Sequence, residues 1–135
     1  MLSLFTMTAY AQEKEQYDWT KVMNAIIQVE SKGNPKAYNP NGDCVGILQI
    51  TKGLVKETNN ILKRNGSSTR YTINDRWDQE KSKEMFVILQ EHFNKEHNIE
   101  KAIKCWNLGF YARNIKNKGN VYYKKVMIHY NKKGS

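Results

Sequence analysis

Residues 19–37 read WTKVMNAIIQVESKGNPKA, and this stretch decides the fold. Its apolar side chains recur every three or four residues, which is the spacing of one face of an α helix. The apolar positions are Trp19, Val22, Met23, Ile26 and Ile27. Asp18 is a suitable N-cap, Gly33 can adopt the left-handed backbone that ends helices, and Pro35 disfavours further helix. We therefore predict a helix that begins after Asp18 and ends before Gly33.

The next position on that apolar face is Glu30. Burial and the negative end of a helix both disfavour a carboxylate anion, so we expect a raised pKa for Glu30. A carboxyl that stays protonated near neutral pH can serve as a general acid. The alternative is a helix-end glutamate that turns to solvent or pairs with Lys32 or Lys36, and position alone leaves both open.

Four more amphipathic segments follow this helix. Their apolar positions span 54–62, 85–93, 99–106 and 123–130, and Val45–Thr51 is either a short strand or an extended loop. A chain of 135 residues fits one domain. We predict a single all-α domain over residues 12–135, with about five helices and at most a minor β hairpin.

Residues 1–11 have features of a signal-peptide remnant. A short apolar run precedes Ala9-Tyr10-Ala11, which is the small-x-small pattern that signal peptidase accepts. No basic residue precedes the run, so an ordinary N-terminus is the alternative. We predict export and a mature chain that begins near Gln12. No apolar run approaches the roughly 20 residues that a membrane-spanning helix needs.

The chain is strongly basic, with 22 Lys and Arg against 13 Asp and Glu. Nearly all of the excess lies after residue 98, where nine Lys and Arg face one acidic residue, Glu100. Such a one-sided distribution favours a polyanionic ligand or surface. The sequence has no helix-turn-helix or RNA-binding signature, so we do not expect nucleic acid as the partner.

The sequence contains no complete motif for binding a metal ion or a nucleotide. Residues 39–50 begin like a calcium loop, but the glycine is misplaced and the twelfth position is Ile50 instead of Glu. His92 and His97 are five residues apart, which does not place them on one helix face. There is no GxSxG, Walker or GxGxxG pattern. We therefore predict neither a metal nor a cofactor.

Four segments, in chain order, resemble the soluble lytic transglycosylases. ESKGNPKA at 30–37 is similar to the family's Glu-Ser-x-x-Asn-Pro-x-Ala, and GILQ at 46–49 to its Gly-(Leu/Ile)-(Met/Leu)-Gln. AIKCWNLG at 102–109 is similar to Ala-x-x-Tyr-Asn-x-Gly, and YKKV at 123–126 to Tyr-x-x-Val. The stretch 75–86 and the residues just before Gly46 depart from the family pattern.

This resemblance implies a lysozyme-like fold and cleavage of the β-1,4 bond between N-acetylmuramic acid and N-acetylglucosamine in peptidoglycan. Glu30 would act as general acid and then as base, which gives a 1,6-anhydromuramic product. One alternative is a lysozyme-type muramidase that uses a second carboxylate. The candidates for that carboxylate are Asp43, Asp75 and Asp78. The other alternative is a wall-binding module without catalysis.

The resemblance also implies roles for five further residues. Ser31 would hydrogen-bond near Glu30, and Gln49 would contact the glycan or its stem peptide. Asn107 would bind an N-acetyl group or a sugar hydroxyl, and Trp106 would keep an aromatic surface for a sugar. Tyr123 would place its hydroxyl beside Glu30. For each of them a role in packing or in satisfying the backbone is the competing interpretation.

The two cysteines, Cys44 and Cys105, could be unrelated thiols or, in an exported protein, one disulfide. The resemblance places both next to cleft segments and therefore predicts a disulfide between them. Small exported enzymes of this kind also resemble those that accompany conjugation or secretion machines. We expect a monomer that acts at the cell wall, in the periplasm or outside the cell.

Overall fold

A computed structural model describes residues 16–133. In this part of the chain, five α helices surround one core, and a two-stranded hairpin follows the first helix. The elements are α1 (Thr20–Glu30), β1 (Tyr38–Asn39), β2 (Cys44–Val45), α2 (Lys52–Arg64), α3 (Gln79–Phe93), α4 (Ile99–Leu108) and α5 (Asn120–Tyr130), with 3-10 segments at Ile73–Trp77 and Ile115–Asn117. This confirms the predicted all-α class with a minor hairpin, as expected for a lysozyme-like fold. The predicted signal-peptide remnant, residues 1–11, lies outside the described residues.

Helix α1 ends before Gly33 as predicted, but its N-cap is Trp19 and not Asp18, so the helix begins one residue later than predicted. The Asp18 carboxylate accepts a hydrogen bond from the backbone N–H of Thr20 at 2.9 Å, which satisfies one of the free donors of the first turn. The helix ends at Glu30, and Gly33 has a φ of 80° in the turn that follows. Its apolar face is buried against α5 and α4. The burial of this stripe fixes the last residue of the helix next to α5.

Helix α3 buries Met85 and Leu89 of the apolar stripe predicted over 85–93, but its buried face is turned away from the other residues of that stripe. Phe86 and Gln90 are fully buried, whereas Ile88 and His92 are half-buried. Gln90 can lie in the core because its amide donates to the Ala102 carbonyl at 3.3 Å. Helix α3 begins directly after Asp78, whose side chain accepts from the backbone N–H of Lys81 at 2.9 Å.

The hairpin turns directly into an irregular loop, Gly46–Ile50. Tyr38 pairs with Val45 and Asn39 with Cys44 in antiparallel register, and an isolated bridge joins Val45 to Ile50. Gly46 has a φ of 83°, and a Cβ at this position would overlap the backbone carbonyl of Arg76. Only glycine combines this backbone conformation with so close an approach.

Arg76 joins the hairpin to the 3-10 segment before α3. It is 4% exposed, and its guanidinium donates to the carbonyl oxygens of Ile73, Asp43 and Ile50 at 2.7–3.1 Å. It also donates to the Asp43 carboxylate at 3.3 Å. A buried guanidinium with this many acceptors holds the hairpin and the 3-10 segment as one rigid unit.

One of the nine basic residues after residue 98 lies in the interior. Lys104 is 1% exposed, and its Nζ donates to the carbonyl oxygens of Ile115 and Lys116 at 2.7 and 3.3 Å. Its charge therefore stabilises the Ile115–Asn117 segment and adds little to the surface. Within residues 16–133, no helix has the length and hydropathy of a membrane span.

Candidate active site

Glu30 is the last residue of α1 and is half-buried where α1 meets α5. The hydroxyl of Tyr122, on α5, donates to Oε2 of Glu30 at 2.8 Å. Burial raises the pKa of Glu30 above its ordinary value, and the hydrogen bond from Tyr122 lowers it by a smaller amount. The carboxyl thus combines a raised pKa with one oriented oxygen.

The hydroxyl beside Glu30 belongs to Tyr122 and not, as predicted, to Tyr123. Consecutive helical residues point about 100° apart, so one position decides which neighbour a side chain meets. Tyr122 faces α1, whereas the ring of Tyr123 lies 5.5 Å from Nζ of Lys104. The sequence signal for Tyr122 is a second helical stripe on α5, because Tyr122, Val126 and His129 also fall at i, i+4 and i+7.

Ser31 connects the end of α1 to the Gly46–Ile50 loop. Its Oγ donates to the Ile47 carbonyl at 2.7 Å and accepts from the backbone N–H of Gly33 at 3.1 Å. The predicted hydrogen bond of Ser31 near Glu30 is thus made to the loop backbone. It fixes the distance between Glu30 and the loop.

Gln49 uses its side-chain amide to hold the same loop. Its Nε2 donates to the carbonyl oxygens of Ala37 and Gly46 at 3.2 and 3.0 Å. Its own φ is 52°, in the left-handed region that non-glycine residues rarely adopt. The side-chain nitrogen of Gln49 therefore satisfies two backbone carbonyl groups, as the competing interpretation of this residue predicts.

Trp106 is a core residue and not the exposed sugar platform that the sequence suggested. It is 7% exposed, its ring centroid lies 4.9 Å from that of Phe86, and its Nε1 donates to the Leu48 carbonyl at 3.0 Å. The apolar stripe of α4 carries the indole inward, because it falls in line with Ala102 and Ile103. Asn107, the next residue, is exposed at the end of α4.

The three candidate second carboxylates are each engaged elsewhere. Asp43 pairs with Arg76 at 3.3 Å and with Lys52 at 3.6 Å. Burial alone would raise its pKa, but Arg76, the neighbouring Tyr38 hydroxyl and Lys52 hold the pKa below its ordinary value. This arrangement stabilises Asp43 as an anion.

Asp75 and Asp78 are helix caps. Asp75 accepts from the backbone N–H of Thr72 at 2.7 Å and pairs with Lys81 at 3.3 Å, and these contacts lower its pKa in spite of partial burial. Asp78 caps the first turn of α3. Both carboxylates therefore have a structural role.

The predicted disulfide between Cys44 and Cys105 is not present, because both cysteines are free. Cys44 lies on β2, and burial followed by the charges of Glu30 and Asp43 raises the pKa of its thiol. Cys105 is buried in α4, where burial is again the main cause of a raised pKa. Sequence adjacency to two cleft segments did not bring the two thiols together, since Cys105 faces the interior. Within the described residues, no three His, Cys, Asp or Glu side chains cluster as a metal site requires.

The Gly46–Ile50 loop is anchored through its backbone. Four of its carbonyl oxygens, those of Gly46, Ile47, Leu48 and Ile50, each accept from a side chain. The donors are Gln49, Ser31, Trp106 and Arg76. The loop is therefore rigidly placed against the helix end that carries Glu30.

The chain matches the family model described as "Transglycosylase SLT domain" over residues 7–127. This range includes all four sequence segments described above and every residue of the Glu30 site. No curated protein and no solved structure matches the chain.

Proposed function

Because the chain belongs to the SLT transglycosylase family, it is an enzyme of the lytic transglycosylase type that acts on peptidoglycan, and we propose that Glu30 is its catalytic acid. The family predicted from the four sequence segments is thereby confirmed. The observation that carries the proposal is the half-buried Glu30 carboxyl, whose pKa burial raises and whose Oε2 accepts from Tyr122.

In the proposed reaction, protonated Glu30 donates its proton to the glycosidic oxygen as the bond from C1 of N-acetylmuramic acid breaks. The resulting carboxylate then accepts the proton of the C6 hydroxyl of the same sugar. The C6 oxygen attacks C1 and closes a 1,6-anhydro ring, so Glu30 returns to its protonated state. No water is consumed, and one carboxyl serves both steps.

The engagement of the three aspartates favours this product over hydrolysis. We expect Asp75→Asn and Asp78→Asn to keep most of the wild-type activity, because asparagine can still cap a helix. Digestion of purified peptidoglycan, followed by mass spectrometry of the released muropeptides, should show anhydromuramic ends that resist borohydride reduction.

Reducing ends in that digest, together with a large loss of activity in one of the Asn variants, would instead identify a muramidase with a second carboxylate. An absence of released muropeptides would identify a wall-binding module.

Tyr122→Phe should change the pH dependence of the reaction. The Tyr122 hydroxyl stabilises the Glu30 anion, so its removal raises the pKa of Glu30 further. The alkaline decline of kcat/KM, where Glu30 loses its proton, should move to higher pH, and the maximal rate should fall about tenfold as the carboxyl loses its orientation.

Tyr123→Phe is the matched control, since it removes a neighbouring hydroxyl from the same helix without touching Glu30. An unshifted pH profile in Tyr122→Phe would contradict the role given to this hydroxyl.

We propose that the enzyme is exported and works as a monomer at the cell wall, in the periplasm or outside the cell. Its polymeric substrate lies outside the cytoplasm, and residues 1–11 have the features of a signal-peptide remnant. We further propose residues 12–135 as the catalytic domain and a conjugation or secretion apparatus as its setting, where a local opening in the wall is required.

The basic surface after residue 98 should concentrate the enzyme on anionic wall polymers. Replacing its exposed Lys116, Lys118, Lys124 and Lys125 by Gln should weaken binding to purified sacculi at low salt. The two binding curves should converge at high salt because screening removes the attraction.

A variant with the same change of charge elsewhere is the control for this prediction. It replaces four exposed lysines that lie before residue 98, namely Lys36, Lys56, Lys63 and Lys95. Equal losses in the two variants would show that net charge, and not this surface, is responsible.

A further inference from the structure

Two exposed aromatic side chains lie side by side outside the four short segments that resemble the family's motifs. Tyr38, on β1, is 53% exposed, and Trp77, at the end of the first 3-10 segment, is 42% exposed. Their ring centroids are 6.3 Å apart and their planes are inclined by 36°. Two adjacent exposed rings form an apolar patch, and exposed apolar patches are found at ligand-binding sites.

The aromatic pair, Tyr38 and Trp77, is held by rigid neighbours. Trp77 follows Arg76, whose buried guanidinium makes the hydrogen bonds that join the 3-10 segment to the hairpin. The Arg76 carbonyl accepts from the Ser82 hydroxyl at 3.0 Å, and Asp78 caps α3 directly after Trp77. Tyr38 is fixed by its pairing with Val45. The two rings are therefore already oriented before a ligand binds, and binding would cost little conformational entropy of the protein.

The aromatic pair is connected to the Glu30 site through the Gly46–Ile50 loop. The strand that pairs with Tyr38 leads straight into the Gly46–Ile50 loop, and Gly46 is in close contact with the Arg76 carbonyl. The hairpin and the 3-10 segment that carry the two rings are thus both in contact with the loop beside Glu30.

We propose that Tyr38 and Trp77 form an additional sugar-binding subsite for the glycan strand. This inference rests on the proposed function and deepens it. Flat aromatic faces bind the apolar C–H face of a pyranose ring, and a glycan polymer continues beyond the bond that is cleaved. The Tyr38 hydroxyl lies close to the Asp43 carboxylate, and the exposed Asn39 follows Tyr38 in the chain. Two rings with a polar border match one or two sugar units better than the roughly 800 Å² that a protein partner buries on each side.

The chain offers a direct spectroscopic test, because Trp77 is its exposed tryptophan. The other two, Trp19 and Trp106, are 2% and 7% exposed. In Glu30→Gln protein, addition of soluble glycan strands freed of stem peptides should shift tryptophan emission to shorter wavelength and reduce its quenching by acrylamide. An unchanged spectrum at glycan concentrations that saturate sedimentation binding would overturn the proposal. A shift with protein concentration in the absence of glycan would overturn it too, by showing self-association.

Variants of the pair should weaken the affinity of the Glu30→Gln protein for these strands. We expect Trp77→Ala and Tyr38→Ala each to raise the Kd about tenfold, and Trp77→Phe to retain most of the affinity because it keeps an aromatic face. Tyr111→Ala is the matched control, since Tyr111 is 76% exposed and contacts Glu57 on α2.

Equal affinities of Trp77→Ala and the control would overturn the subsite. Because these measurements report binding, their failure is distinct from a failure of the catalytic role of Glu30, which is read from released muropeptides alone.

Discussion

The Glu30→Gln variant is expected to lose peptidoglycan-cleaving activity by about 100- to 10,000-fold while it keeps its fold. The amide has the size of the carboxyl and can still accept the hydrogen bond from Tyr122, but it cannot deliver a proton to the glycosidic oxygen. Release of soluble muropeptides from purified sacculi measures the loss. Activity within a fewfold of wild type would remove Glu30 from the mechanism.

Glu91→Gln is a matched control for this variant. Glu91 is a half-buried glutamate that accepts from an aromatic donor, Nε1 of Trp19, at 2.9 Å. The substitution repeats the chemical change in a similar environment that has no part in the proposed reaction. We expect it to leave the activity within a fewfold of wild type.

The stability of Glu30→Gln separates a catalytic loss from a folding defect. Burial raises the folded-state pKa of Glu30 above the ordinary 4.5, so the folded protein binds this proton more tightly than the unfolded chain does. The contribution of Glu30 to the free energy of unfolding therefore falls as pH rises from 4.5, the ordinary pKa, through the raised pKa of the folded state. Gln carries no such penalty, so at pH 7 the Tm of the variant should equal or exceed that of wild type. A lower Tm would contradict this account.

Gly46→Ala is expected to have the largest effect on stability. A left-handed backbone costs a residue with a Cβ about 1–2 kcal/mol, and overlap of that Cβ with the rigid Arg76 carbonyl adds about 1–3 kcal/mol or more. Urea denaturation should show that the free energy of unfolding falls by about 2–5 kcal/mol or more in total. The activity should fall with it, because the loop beside Glu30 is displaced.

Gly33→Ala isolates the steric part of that loss. Gly33 has a similar φ of 80°, but a Cβ there would meet no atom within 4 Å. This variant should therefore lose only the roughly 1–2 kcal/mol that the backbone conformation costs. Equal losses at the two glycines would show that the contact with Arg76 is not important.

The sequence predicts features that depend on neighbours along the chain. The end of α1 follows from the apolar stripe, Gly33 and Pro35, and the position of Glu30 follows from the same stripe. The cap of α3 is equally local, since Asp78 accepts from the backbone N–H of Lys81, three residues later. These signals act over a few residues, so the pattern and the structure agree.

Features that depend on distant residues were not predictable in the same way. Tyr122 and Tyr123 are adjacent and both fit a helical stripe, so only the packing of α5 on α1 decides which one meets Glu30. The hydrogen-bond partner of the Trp106 indole, the Leu48 carbonyl, lies 58 residues earlier in the chain. The pairing of Arg76 with Asp43 likewise joins residues that have no shared local pattern.

The anchoring of the Gly46–Ile50 loop has a consequence for protein engineering. The shape of this segment is specified mostly by donors outside it. Three of the four side chains that hold its carbonyl oxygens come from the residue after α1, from α4 and from the 3-10 segment before α3. Five residues grafted into another helical scaffold would therefore not keep this conformation. A transplant would have to include Ser31, Arg76 and Trp106 in the same spatial relation. The loop and these three residues must therefore be transferred together.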